Sequence, residues 1–233
     1  MTIRQFENLK MECKIRDEEN IKVMIKEEII NIENALKRPL PGKKGQYIMA
    51  PGYRPDYDLD EVMKFNPRIG GVLLLLDPRD AELKVILTLR KQYLGTHSGQ
   101  MSFPGGKQES SDTDIIHTAL RETKEEIGIS ADQVEVIGRL SELYIPPSNF
   151  LVYPTVAVLK EDAQFIKQVD EVEEIVPIPL SFFLDKKSRG TTKIKVMGNA
   201  EVDVPAYVYG DYTIWGATAI MLSEFVYLLN SET

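Results

Sequence analysis

Between Asn20 and Arg38 the apolar residues Ile21, Ile25, Ile29, Ile32 and Leu36 recur at steps of three and four, the spacing that lines one face of an amphipathic helix. Pro39, Pro41 and Gly42 close that helix, and a Pro- and Gly-rich stretch runs on through Pro51, Gly52 and Pro55 to Pro67. From Gly70 the pattern changes. Two short apolar runs, GGVLLLL and LKVILTL, flank the polar DPRDAE and predict a hairpin of buried strands. A helix is expected over 113–127, strands over 134–145, 151–159, 191–196 and 202–209, and a closing helix over 213–229. Strands and helices mix without strict βαβα alternation, which favours an α/β fold with a mixed sheet and helices on both faces over a doubly wound Rossmann sheet. Residues 1–66 read as an N-terminal amphipathic helix and irregular arm laid on a main domain of residues 67–233. The apolar face of the first helix must be covered by its own domain or by a second subunit, which leaves a homodimer open.

The helix over 113–127 carries the chemistry. On a helical wheel Ile116, Ala119, Leu120, Thr123 and Ile127 share one arc, and Glu122, Glu125 and Glu126 fill the adjacent one. Ser111 and Asp114 have the spacing of a capping box, Asp112 is an alternative cap, and Gly128 is the expected stop. Like-charged pairs at such spacings each cost a helix about 0.2–0.5 kcal/mol, a cost that a bound divalent cation removes. Oxygen-only ligands suit Mg²⁺ or Mn²⁺; a solvated acidic face is the alternative. Upstream, Gly105 and Gly106 permit a backbone approach that side chains would forbid. The following Lys107 and Gln108 do not complete a Walker loop.

The chain of 233 residues has 28 Lys+Arg against 36 Asp+Glu, a formal charge of −8, which argues against a nucleic-acid partner held by phosphate neutralisation. The acidity is local, concentrated over 109–126 and over 160–185, and the second stretch contains Glu171. A single cysteine, Cys13, cannot form an intrachain disulfide; no apolar run reaches membrane-spanning length, and the first twenty residues lack a signal-peptide core. The expectation is a reduced, cytoplasmic protein without membrane contact.

Gly106, Arg121, Glu122, Glu125, Glu126, Gly128 and Ile129 together strongly resemble the Nudix box, with Thr123 at a usually aliphatic position and one extra residue between Gly106 and Arg121. The longer loop resembles the coenzyme A pyrophosphatase branch. So do Leu87-Thr88-Leu89-Arg90, His97-Ser98-Gly99-Gln100 and Phe103-Pro104-Gly105-Gly106, whereas Lys91 and Gly95 stand where a small residue and an Arg are usual. Pro147-Ser148-Asn149, Asp170-Glu171-Val172 and Ile214-Trp215-Gly216 extend the likeness over about residues 68–229. The resemblance implies a Nudix-type α/β/α sandwich with an N-terminal helical extension. It implies metal-dependent hydrolysis of coenzyme A or acyl-coenzyme A to adenosine 3′,5′-bisphosphate and 4′-phosphopantetheine or its acyl form. Glu122, Glu125 and Glu126 are the implied metal ligands, Glu125, Glu126 and Glu171 the catalytic carboxylates, and Arg90, His97, Gly99, Gln100, Gly105 and Gly106 the substrate-binding set. Arg121 is expected to anchor carboxylates. Lys186, Lys187, Arg189, Lys193 and Lys195 form a basic cluster that suits a solvated hairpin, with contact to a 3′-phosphate as the alternative, and Trp215 is expected in the core. Other diphosphates such as ADP-ribose or NADH, and a non-catalytic nucleotide-binding member, remain alternative readings.

Overall fold

The computed structural model describes residues 3–91, 99–195 and 201–231. The chain opens with α1 (Ile3–Leu36), longer at its start than the apolar periodicity predicts, and the arm contains two short helices, α2 (Lys43–Gln46) and α3 (Leu59–Lys64). Then follow β1 (Arg68–Asp77), β2 (Lys84–Arg90), β3 (Met101–Ser102), β4 (Gly105–Lys107), α4 (Ile115–Ile127), β5 (Val134–Arg139), β6 (Leu143–Ile145), β7 (Phe150–Leu159) and β8 (Val172–Pro179). The chain ends with α5 (Leu180–Leu184), β9 (Arg189–Lys195), β10 (Glu201–Tyr209), β11 (Tyr212–Trp215) and α6 (Gly216–Asn230).

The larger sheet is mixed, as expected. Its main path runs β3-β2-β1-β7-β5, with β4 beside β1, β6 beside β7 and β8 beside β2. β1 and β2 form the predicted antiparallel hairpin, while β1 and β7 pair in parallel from Arg68↔Phe150 to Leu76↔Val158. Side chains alternate between the faces of a strand, so the unbroken run of leucines on β1 requires cover on both sides. Leu73 and Leu75 join Ala119 and Ile127 of α4, whereas Leu74 and Leu76 join the larger cluster that holds Ile25 and Ile32 of α1 and Phe225 of α6. β9, β10 and β11 form a separate antiparallel sheet.

Further boundaries differ from the sequence reading. The span 134–145 is two strands, because Leu140–Glu142 leave the ladder between β5 and β6. Thr213, Ile214 and Trp215 belong to β11, paired with β10, and Gly216 at φ 62 turns the chain into α6; an apolar pattern continuing across that turn hides the change. α4 starts at Ile115 on an Asp114 cap that accepts from the His117 N–H at 2.8 Å. Asp112, considered as a cap, serves another purpose described below.

The arm is fastened to α6 by buried polar contacts. Glu224, with no exposed surface, accepts hydrogen bonds from the Gly42 N–H (3.1 Å), the Ser141 N–H (3.2 Å) and the Gln46 side chain (2.9 Å). The Ser223 hydroxyl donates to the Gly45 carbonyl at 2.7 Å, and Arg38 donates to the carbonyls of Leu228 and Ser231. Three donors that lose one buried acceptor are costly to leave unpaired. Glu224→Leu is therefore expected to lower stability by about 3 kcal/mol in urea denaturation and to speed proteolysis between residues 38 and 58; an unchanged midpoint would remove the clamp from the account.

Candidate functional site

β4 and α4 are brought together by the sequence between them. Gly106 pairs with Gly71 on β1, and a Cβ added to Gly106 would lie 2.5 Å from the Glu122 carboxylate. The carboxylate thus occupies space that any other residue at this position would claim. Four residues later on the helix, Glu126 is 2% exposed. It accepts from the Gly105 N–H at 3.3 Å and faces Arg90 Nη1 at 3.5 Å. Gly128, in the left-handed region at φ 77, ends the helix as expected.

Arg121 organises the acidic face. Its guanidinium donates to both oxygens of Asp112 (2.9 and 3.0 Å), to Glu125 (3.0 Å) and to the Lys107 carbonyl (3.0 Å), and lies 3.0 Å from Glu122. The Asp112 side chain has no exposed surface; it also accepts from the Thr118 hydroxyl and the Glu109 N–H. The Arg121 hydrogen bonds therefore hold the Asp112 carboxyl well below the usual carboxylate range. Burial pushes Glu126 up to about 7, against Arg90 and the Gly105 N–H, with Glu122 and Glu171 adding to the rise. Burial also raises Glu122, against Arg121, and Glu125 and Glu171 again push upward.

These groups border a cleft of about 1270 Å³. Glu122, Glu126, Glu171, Arg90, Gln100, Gly105 and Gly106 line it together. Glu171 arrives from the far end of the sheet: β8 pairs with β2, and the Lys91 N–H donates to the Glu171 carbonyl at 3.0 Å, which sets its exposed side chain at the same opening. Two expected members stand apart. Glu125 does not line the cleft, because Arg121 holds its carboxylate, 58% exposed, to one side. Gly99, at φ 67, is an exposed turn residue outside the cleft wall. His97 lies outside the described residues. Lys186, Lys187, Arg189 and Lys193 are absent from the wall, whereas Trp215, expected in the core, is part of it.

The remaining wall includes residues that the motifs do not mark: Tyr53, Arg54 and Tyr57 of the arm, Arg68 at the start of β1, and Met221 of α6. The turn 146–150 and Trp215 also contribute, and both fall in stretches already singled out by resemblance. Among the described residues no three His, Cys, Asp or Glu side chains are gathered into a ready ligand cage. Like charges with only Arg121 and Arg90 between them stay apart. The donor set still fits a hard divalent cation: the ligands are oxygen only, and the desolvated Glu126 has the Arg90 guanidinium at 3.5 Å set against the charges of two further carboxylates, Glu122 and Glu171.

A family model described as the NUDIX domain matches residues 67–188. The chain belongs to the Nudix family. It is 33% identical over 173 residues to human "Mitochondrial coenzyme A diphosphatase NUDT8", the match covering 73% of each protein. It is 38% identical over 165 residues to "Nudix hydrolase 15, mitochondrial" of Arabidopsis thaliana, covering 68% of this chain and 58% of that protein. Among solved structures, a MutT/nudix family protein from Enterococcus faecalis aligns at TM-score 0.45 and 18% identity over 84% of this chain and 70% of that one. That likeness is too distant to carry the assignment, which rests on sequence. As a Nudix hydrolase the protein is a pyrophosphohydrolase, of a family that acts on nucleoside diphosphate derivatives and generally uses divalent metal ions.

The Asp112–Arg121 pair has a pH signature. Because the folded-state pKa of Asp112 is depressed, its contribution to stability is present above the unfolded value, about 3.9, and is lost as pH falls toward the folded value. Asp112→Asn is expected to cost about 2 kcal/mol at pH 7. The gap to the wild type should narrow below about pH 4 in denaturant titrations; a gap independent of pH would contradict the pairing.

Proposed function

We propose that this Nudix hydrolase cleaves the diphosphate of coenzyme A or acyl-coenzyme A, releasing adenosine 3′,5′-bisphosphate and 4′-phosphopantetheine or its acyl form. The observation that carries the reading is the cleft: Glu122, Glu126 and Glu171 together line a space large enough for a nucleotide and an extended second moiety. The human relative's name and the Arg90, Gly99, Gln100 and Phe103-Pro104-Gly105-Gly106 signature support the choice of substrate.

Glu122 and Glu126 would hold Mg²⁺ or Mn²⁺, with Glu125 joining when it leaves Arg121. The bound cation supplies Lewis acidity at the phosphoryl oxygens and a water of lowered pKa. Arg121, fixed by Asp112, keeps the carboxylate helix oriented toward β4. Gly105 and Gly106 allow the diphosphate to approach the backbone without obstruction, and Arg90 meets negative charge beside Glu126. Glu171, exposed at the cleft, would accept a proton from the attacking water.

Incubation of the purified protein with coenzyme A and Mg²⁺, followed by separation of the products, should yield the two named fragments. Turnover of ADP-ribose or NADH in preference to coenzyme A would replace the substrate, and tight nucleotide binding without turnover would replace the catalytic reading. Gly106→Ala gives an independent check. The three atoms nearest the new methyl all belong to the end of the Glu122 side chain, so the melting temperature should change little, while displacement of that carboxylate should lower metal-dependent kcat/KM by about 100-fold or more. Unaltered kinetics would remove Glu122 from the metal site.

A further inference from the structure

The arginines of this acidic protein divide into two kinds. Arg79, Arg90 and Arg121 each face a carboxylate, whereas others among the described residues have no such partner, and of these Arg54 and Arg68 stand on the cleft wall. Arg54 donates to the Tyr144 carbonyl on β6, and its charged-group neighbours are the phenols of Tyr47 and Tyr57. Its Nε is buried without a hydrogen-bond partner. Arg68 donates to the Ser148 carbonyl and lies with its guanidinium carbon 4.3 Å from the centre of the Phe150 ring. The two cations thus grip the turn between β6 and β7 from its two ends. An arginine cannot shed its proton, so a partly buried guanidinium with spare donors is a standing receptor for an anion.

We propose that Arg54 of the N-terminal arm, with Arg68, forms a second anion subsite of the cleft that receives a phosphate monoester on the nucleoside part of the substrate. The site is separate from the carboxylate end. From Tyr144 the sheet runs through β6, β7 and β1 to β4, so the carbonyl that Arg54 grips is three strand spacings, about 14 Å, from the strand that carries Gly106. Arg68 starts on β1, the strand beside β4, and reaches back to the Ser148 carbonyl, so Arg54 is the outer member of the pair and a phosphate that it holds lies away from the one being cleaved. The surroundings suit a nucleoside: the aromatic side chains of Tyr53 and Trp215 line the same cleft, with Tyr57 and Phe150 beside them, and suit contact with a base. Guanidinium forks match phosphate oxygens in pairs, which a lysine in either place would not reproduce. On the coenzyme A reading, on which this inference rests, the group received is the 3′-phosphate of the adenosine.

The decisive comparison is coenzyme A against its 3′-dephospho form, for the wild type, Arg54→Gln, Arg54→Lys and Arg68→Gln. The wild type should favour coenzyme A in kcat/KM, and Arg54→Gln should reduce that preference by about 10- to 100-fold, chiefly through KM, with Arg54→Lys restoring only part. If Arg54 merely props the Tyr144 carbonyl, both substrates suffer equally and the preference persists, which overturns the proposal. Calorimetry with adenosine 3′,5′-bisphosphate and with 5′-AMP separates the subsite from the substrate reading. If the wild type does not cleave coenzyme A yet binds the bisphosphate more tightly than AMP, and Arg54→Gln abolishes the difference, the subsite stands and the substrate is wrong. If coenzyme A is cleaved and the preference survives in both Gln variants, the subsite falls and the substrate stands.

Discussion

The site depends on one guanidinium. Arg121 sits at the meeting point of three parts of the chain: the helix that carries it, the loop that carries Asp112 and the strand that ends in Lys107. Its two bonds to Asp112 draw a carboxylate fully out of solvent, a move that desolvation alone would oppose. The remaining donors reach Glu125 and lie against Glu122. A helix bearing three glutamates is thereby held against a glycine strand, with Glu122 and Glu126 fixed at the cleft and Glu125 turned aside. Such preorganisation transfers the cost of assembling like charges from ligand binding to folding.

How much of this the residues announced depends on sequence distance. α4, its Gly128 stop and the role of Arg121 follow from interactions within about ten positions, where spacing is nearly the same thing as geometry. The N-terminal boundary was misplaced because Ser111, Asp112 and Asp114 all have capping chemistry, and only the bond to Arg121 recruits Asp112 elsewhere. Glu171 could be suspected from the second acidic stretch. Its place beside Glu126 follows from the pairing of β8 with β2, which no local pattern encodes. Arg54 was invisible for the same reason: its partner Tyr144 is ninety positions away, and a lone arginine among prolines reads as a loop. Glu125 shows the opposite failure, in which a motif position is filled but the neighbouring cation turns the side chain from the cleft.

The arm illustrates why polar burial is informative. Its attachment to α6 uses Glu224, Ser223 and Arg38, each bonded to named backbone groups, in addition to the apolar face of α1. An apolar helix face can slide over a core at little cost, whereas a buried carboxylate with three donors has one satisfactory register. The register matters here because the segment following the clamp delivers Tyr53, Arg54 and Tyr57 to the cleft. The extension is thus tied to the site by geometry as well as by chain continuity.

The net charge of −8 takes on a different meaning in this light. An acidic protein that binds a polyanionic substrate must keep its own negative charge from opposing the approach. The cleft does so by segregation. Carboxylates gather around Glu126, where burial already strains the ionised form and a divalent cation would find its greatest advantage. Arginines without acidic partners, Arg54 and Arg68, line the same cleft. A substrate with a diphosphate and a separate phosphate fits such a divided field, because each anionic group then meets positive charge from a different source: a cation held by the glutamates for one, and fixed guanidinium groups for the other. On the proposed reading, a substrate lacking the second phosphate would leave the half-buried Arg54 with only its Tyr144 carbonyl and phenol contacts and an unpartnered Nε, which gives the cleft a reason to discriminate.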